Sequence, residues 1–158
     1  MECSTISRPN LRPIRSTRIL LVAHSDHYLL EHLVLGLEQS GFTVHDANSG
    51  INCVAKLRCV KPEVLLLDPN LLWGGGDGVL AAMVSNPDLV SIPVLLLVTF
   101  ETNMELANRM GTTVSDILSL PTSREDIADR CLELAETNGR PNHRLFDAER
   151  FCKSPTDY

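Results

Sequence analysis

Three short runs of consecutive apolar residues stand out along the chain, and each one is four or five residues long. They are Ile19–Ala23, Val64–Leu67 and Val94–Val98. Unbroken apolar runs of this length are typical of parallel strands that are buried on both faces. Two weaker segments, one beginning at Phe42 and one covering residues 116–120, complete a set of five predicted strands.

Between these strands, apolar residues recur at the three- and four-residue spacing of amphipathic helices. Five helices are predicted, and their ends are indicated by capping residues, glycine or proline. The first helix is marked by Asp26 and Gly41, the second by residues 48–50 and Pro62, and the third by Asp77 and Pro87. A weaker fourth helix runs from about Thr102 to Met110 and stops at Gly111, and a Thr122–Glu125 capping box begins the fifth.

Strands that alternate with helices require crossover connections, which produce a parallel sheet with helices on both faces. We therefore predict an α/β fold, a three-layer doubly wound (βα)5 sandwich, over residues 18–137. Residues 1–17, rich in Arg, Pro, Ser and Thr, are interpreted as a flexible basic leader, and residues 138–158 as a polar C-terminal tail. No second domain is expected.

The composition of the chain argues against several classes of protein, namely nucleic-acid-binding, secreted and membrane proteins. The chain has 158 residues and a formal net charge of −6, which argues against a general nucleic-acid-binding surface. Its five cysteines lack any CxxC spacing, as is typical of a reducing compartment. No apolar stretch approaches the roughly 20 residues of a membrane span. We expect a cytoplasmic protein without a signal peptide or membrane contact.

The carboxyl ends of the strands carry the candidate chemistry, because ligands of open α/β sheets bind at that edge. Asp68 follows the third apolar run, Asn70 lies two residues beyond it, and Thr99 follows the fourth run. Together with Asp77-Gly78, the Ile92–Val94 segment and Leu120-Pro121, this pattern resembles the receiver domain of two-component response regulators. The resemblance covers about residues 18–136.

The resemblance implies a flavodoxin-like fold with strand order 2-1-3-4-5. It makes Asp68 the phosphoacceptor for a partner histidine kinase and Thr99 the hydroxyl that binds the phosphoryl group and switches the surface. It also implies a Mg²⁺ ion, which takes hard oxygen ligands. The weak candidates for ligands are Asp26, Asp68 and the backbone carbonyl of Asn70, although Asp26 is also a helix cap.

Several positions depart from the receiver pattern. The acidic pair after the first strand is replaced by Ala23-His24 or by His24-Ser25, depending on a one-residue shift. The family's lysine position is Leu120, and its aromatic switch position is Ile117. The loop after Asp68 is longer and contains Trp73, which is either a partner contact or a lid over the altered pocket.

These departures favour an atypical, stand-alone receiver that acts through protein contacts, with phosphorylation of Asp68 weak or absent. No catalytic residue is assigned, no cofactor is certain, and an enzyme is not expected. The expected partners are a histidine kinase or another signalling protein, and a homodimer remains open. The alternatives are a functional Mg²⁺-dependent phosphoacceptor at Asp68 and a small flavodoxin-like ligand-binding protein or enzyme.

Overall fold

The computed structural model describes residues 18–100, 102, 104–111 and 114–137, in which strands and helices alternate as predicted. The strands are β1 (Ile19–Ala23), β2 (Thr43–Ala47), β3 (Val64–Leu67), β4 (Val94–Val98) and β5 (Asp116–Ser119). The helices are α1 (His27–Gln39), α2 (Gly50–Val60), α3 (Gly75–Val84), α4 (Met104–Met110) and α5 (Arg124–Glu136). The predicted leader and tail lie outside the described residues.

The five strands form one parallel sheet in the order β2-β1-β3-β4-β5. This confirms the predicted doubly wound topology and strand order. In the register, Ala23 pairs with Leu67, and Leu67 pairs with Leu96. The ends of β1, β3 and β4 therefore lie side by side at one edge of the sheet, and the residues that follow them share a rim.

Two hydrophobic layers sandwich the sheet, one on each face. Leu20, Val22 and Leu66 point into the layer that α1 and α5 cover, whereas Leu21 and Leu65 point into the layer that α2, α3 and α4 cover. All five side chains are fully buried. Because each contributes about 1.5–3 kcal/mol by leaving water, the central strands are rigid supports for the rim.

The N-terminus of α1 follows the prediction, but that of α3 does not. The Asp26 side chain caps α1 by accepting from the backbone N–H groups of Tyr28 and Leu29. The predicted cap of α3 was Asp77, yet the helix begins at Gly75 and Asp77 lies in its first turn. The chain enters α3 through left-handed backbone at Gly74, a conformation that glycine adopts without steric cost.

The N-terminus of α5 also differs from the prediction. Ser123, not Thr122, is the N-cap, and its side chain accepts from the Asp126 backbone N–H. Thr122 instead donates its hydroxyl to the Asp126 carboxylate. The Thr122–Glu125 capping box is therefore wrong by one residue, because the adjacent Ser123 and Asp126 satisfy the same local pattern equally well.

None of the helices in the described ranges combines the length and the apolar character that crossing a bilayer would require.

Candidate functional site

Asp68 follows β3 directly, and its carboxylate is held by three hydrogen bonds from the protein. Its Oδ2 accepts from the Ser25 backbone N–H at 3.1 Å and from the Ser25 hydroxyl at 2.7 Å. Its Oδ1 accepts from the Asn70 backbone N–H at 2.9 Å. The residue is only 4% exposed. Hydrogen bonds to a charged acceptor are about twice as strong as neutral ones, so the carboxylate is firmly oriented.

The backbone of Asp68 is anchored to β1, where its N–H donates to the Ala23 carbonyl at 2.9 Å. Ala23 itself lies within β1 and is fully buried in the core. The side chains that contact the Asp68 carboxylate therefore come from the next two positions, His24 and Ser25. Of the two alignments left open by the sequence, the His24-Ser25 pair is the one that faces the carboxylate.

His24 fills the space beside Asp68 as a neutral imidazole. Its Nδ1 accepts from the Asp26 backbone N–H at 3.0 Å and lies 3.5 Å from Asp68 Oδ2. An atom that accepts from an N–H carries no proton, so the proton of the neutral ring is on Nε2. Burial lowers the pKa of His24, and the carboxylates of Asp68 and Asp26 oppose that shift only partly.

This pKa shift predicts a loss of stability in mild acid. The unfolded chain takes up a proton at His24 near the ordinary value of 6.5, whereas the folded chain does so only at lower pH. Between those two values the unfolded state binds more protons, so the free energy of unfolding falls as pH falls. The slope attributable to His24 is at most about 1.4 kcal/mol per pH unit.

Urea unfolding between pH 8 and pH 5 checks this slope. His24→Asn keeps an acceptor for the Asp26 N–H but cannot titrate, so it is expected to flatten the profile just below 6.5. His27→Asn is the matched control, because it removes an imidazole from a side chain that is 75% exposed and lies outside the Asp68 cavity. Equal slopes in wild type and His24→Asn would contradict the prediction.

The residues present fit a Mg²⁺ ion poorly. Both oxygens of Asp68 already accept hydrogen bonds from the protein, and Asp26 Oδ1 accepts from the first backbone N–H groups of α1. Across the described residues no cluster of three or more His, Cys, Asp or Glu side chains could hold a metal ion. The assignment of Asp26, Asp68 and Asn70 as metal ligands stays a prediction.

Asp68 and Thr99 line the same open cavity, which has a volume of about 450 Å³. Its wall is built from the residues that follow β1, β3 and β4 and from the first turns of α1. The lining residues are His24, Ser25, Asp26, Tyr28, Leu29, His32, Asp68, Asn70, Thr99 and Phe100. The backbone N–H of Thr99 donates to the Thr102 hydroxyl at 2.7 Å. The structure thus brings the predicted phosphoacceptor and switch hydroxyl to one rim.

Leu120 and Ile117, at the family's lysine and aromatic positions, lie away from this cavity wall. Leu120 is 8% exposed and packs in the core layer that contains α1 and α5. Ile117 is half-buried and packs against the layer on the opposite face of the sheet. Both side chains therefore contribute apolar packing, and neither supplies a cation or an aromatic ring to the Asp68 site.

Some residues of the site were not identified from the sequence alone. Ser25 was recognised only as a position lacking a carboxylate, although it donates two hydrogen bonds to Asp68. The aromatic residues Tyr28 and Phe100 at the cavity mouth were not predicted at all. Trp73 does not line this cavity and is 74% exposed, so its interpretation as a lid over Asp68 is wrong.

Comparison with known proteins agrees with this geometry. No family model matches the chain. The response regulator protein VraR of Staphylococcus aureus is 35% identical over 86 residues, which cover 54% of this chain and 40% of VraR. The chain thus spans well under half the length of the curated relatives it matches.

Solved receiver structures share the fold. The signal receiver domain of a signal transduction histidine kinase from Syntrophus aciditrophicus superposes with a TM-score of 0.69 at 21% identity, covering 80% of this chain and 96% of that one. The N-terminal domain of a response regulator receiver protein from Methanoculleus marisnigri is 26% identical and superposes with a TM-score of 0.59. The match covers 75% of this chain and 96% of that one. The strand order and these superpositions show the CheY-like fold of receiver domains, and part of the sequence is similar to a response regulator.

Proposed function

We propose that this chain is an atypical receiver that signals through protein contacts, with phosphorylation of Asp68 weak or absent. The observation that carries the proposal is the hydrogen bonding of the Asp68 carboxylate by Ser25 and Asn70, at a rim where His24 and Ser25 replace an acidic pair. This arrangement holds a carboxylate in place without a metal ion.

The electrostatics of phosphorylation support the same proposal. A phosphoryl group adds about −1.5 to −2 charges at neutral pH and needs cations or several donors nearby. The side chain at position 120 is a buried leucine, and His24 is neutral in the folded state. A phosphorylated Asp68 would therefore carry charge beside groups that do not neutralise it, which makes its formation unfavourable.

The proposed partners are proteins, either a histidine kinase or another signalling protein. The net charge of −6 disfavours direct binding to nucleic acid. We do not propose an enzyme, because we assign no pair of side chains as a nucleophile and its base. The alternative within the same fold is a functional Mg²⁺-dependent phosphoacceptor. The shared cavity of Asp68 and Thr99 is the observation that favours this alternative.

Intact-mass spectrometry after incubation with acetyl phosphate and Mg²⁺ tests the proposal. We expect the wild-type protein to gain no phosphoryl adduct that depends on Asp68. A wild-type adduct that disappears in Asp68→Asn would contradict the proposal and establish the phosphoacceptor alternative. A receiver with an intact acidic site, treated in parallel, shows that the donor is active.

A rebuilt variant provides the matched positive control within this chain. His24→Asp and Ser25→Asp place two further carboxylates beside Asp68. Like charges at this spacing repel one another until a divalent ion binds. We therefore expect the variant to become more heat-stable on adding Mg²⁺ and to gain an adduct that Asp68→Asn removes, while wild type shows neither effect.

A further inference from the structure

A second feature of the surface lies where the loop after β3 meets the start of α2. Three large apolar side chains are exposed there, with Trp73 74%, Ile51 69% and Leu72 57% accessible. The backbone N–H groups of Gly50 and Ile51 donate to the carbonyls of Leu72 and Trp73, at 2.7 and 3.0 Å. These bonds tie the loop to α2, so the exposed residues are part of an ordered structure.

The backbone holds Trp73 outward at a conformational cost. Its φ is 52°, in the left-handed region that bulky residues rarely adopt, and Gly74 follows with φ of 114°. The close approach also requires Gly50, since a Cβ there would lie 2.7 Å from the Trp73 carbonyl oxygen. Backbone strain of this kind is concentrated at functional positions.

An apolar groove of about 400 Å³ runs beside these residues, between α2 and the start of α3. Its α2 wall consists of Ile51, Val54, Ala55 and Arg58, which recur at helical spacing on one face. We call these four residues together with Leu72 and Trp73 the Trp73 patch. None of the groove residues lines the Asp68 cavity, so the patch is a separate surface.

The α2 wall of the patch is positively charged, in contrast to the chain as a whole. From Gly50 to Pro62 there is no acidic residue, although the chain as a whole carries a net charge of −6. Lys56 is engaged by Asp46 of β2, at 3.7 Å from its carboxylate. Arg58 lines the groove, is exposed and forms no ion pair with the described residues. The free positive charge thus lies beside the apolar groove.

We propose that the Trp73 patch docks an acidic amphipathic segment of a partner protein. Apolar side chains of that segment pack in the groove against Trp73 and Ile51, and a neighbouring carboxylate pairs with Arg58. Aromatic and arginine side chains are the residue types that most often dominate binding energy at protein interfaces. The inference locates a contact surface for the proposed signalling role, and it does not depend on the chemistry of Asp68.

The test uses a fluorescently labelled helical peptide of Leu, Ala and Glu, and a matched peptide in which Lys replaces every Glu. Fluorescence anisotropy is expected to show saturable binding of the acidic peptide only. Trp73 is the single tryptophan of the chain, so its emission reports contact at the patch and is expected to shift to shorter wavelength. Trp73→Ser is expected to weaken binding by more than about tenfold, as for a central interface aromatic.

Charge reversal at two positions distinguishes a specific ion pair with Arg58 from a general effect of the protein's net charge on peptide binding. Arg58→Glu is expected to weaken binding of the acidic peptide by about threefold to fivefold, the range of an exposed ion pair. Arg124→Glu makes the same change of charge on α5, across the sheet from α2, and is expected to leave the affinity unchanged. Circular dichroism and thermal unfolding establish that each variant is folded.

Four results would overturn the proposal. They are equal binding of both peptides, no binding of the acidic peptide, a Trp73 emission shift caused by phosphatidylglycerol vesicles instead of peptide, and self-association in sedimentation experiments that Trp73→Ser abolishes. The third result would identify a lipid surface and the fourth a second copy of the chain. The acetyl phosphate experiment at Asp68 is read independently of all four.

Discussion

Gly76→Ala is expected to lower the free energy of unfolding by about 2–3 kcal/mol, the upper range for forcing extra volume into a packed site. A Cβ at Gly76 would lie 2.8 Å from the Asp68 carbonyl oxygen and 2.9 Å from Pro69 Cα. Both neighbours are backbone atoms, so they can make room only if the turn that carries Asp68 moves. Urea unfolding measures the loss.

Gly78→Ala, two residues further along α3, is the matched control. A Cβ built at Gly78 would have no atom within 4 Å apart from its chain neighbours and the backbone of its own helix. Because alanine is favoured over glycine within a helix, this variant is expected to gain about 0.5–1 kcal/mol. Opposite signs for the two substitutions are the expected result. Equal effects would show that α3 does not pack against the Asp68 turn as described.

Ser25→Ala is expected to lower the free energy of unfolding by about 2 kcal/mol, as for other hydrogen bonds to a charged partner. The substitution removes the hydroxyl that donates to Asp68 Oδ2 at 2.7 Å but keeps the Ser25 backbone N–H, which donates to the same oxygen. A buried carboxylate that loses one of its three donors keeps its full desolvation cost, and that is why the expected effect is large.

A double-mutant cycle with Asp68→Asn isolates this interaction. In the Asp68→Asn background the charge is absent, so Ser25→Ala is expected to cost less than about 1 kcal/mol, the usual value for a neutral pair. Ser85→Ala is the control for the substitution itself, because the Ser85 hydroxyl is exposed and donates only to the Ala81 carbonyl. An equal cost of Ser25→Ala in both backgrounds would mean that the Ser25–Asp68 bond adds no stability.

The physical consequence of this hydrogen bonding is a receiver-like site with reduced charge. A receiver of the usual kind gathers carboxylates that need a divalent ion, whereas here Ser25 donates to the one carboxylate and His24 contributes a neutral ring. Under the proposal, such a site needs no metal ion for its stability. Signalling through a preformed surface such as the Trp73 patch is compatible with that stability, because docking there requires no phosphorylation.

Local patterns were sufficient for the elements and their order. Unbroken apolar runs such as Val64–Leu67 match strands that are buried on both faces, and Asp26 caps α1 as predicted. These features depend on interactions between residues that are close in the sequence, so the local sequence is enough to predict them. Alternation of strands and helices then leaves few topologies, because crossovers between parallel strands are right-handed.

Helix starts were predicted less well where two local solutions compete. Thr122 and Ser123 are both good N-cap residues, and in the structure Ser123 caps the N-terminus of α5. At α3 the left-handed backbone from Trp73 to Gly75 turns the chain early, so the helix starts two residues before Asp77. Pattern rules do not distinguish such alternatives, since each one satisfies the same local preferences.

The sequence thus determined a parallel α/β sheet with Asp68 and Thr99 at its rim, because strand burial and crossover geometry are encoded in local apolar periodicity. The partners of Asp68 depended on the tertiary structure. Ser25 and Asp68 are 43 positions apart, and their contact arises from the register of β1 against β3. The outward position of Trp73 likewise depends on hydrogen bonds that the backbone N–H groups of Gly50 and Ile51 donate to the Trp73 loop. These groups lie far apart in the sequence, so no local pattern predicts the bonds.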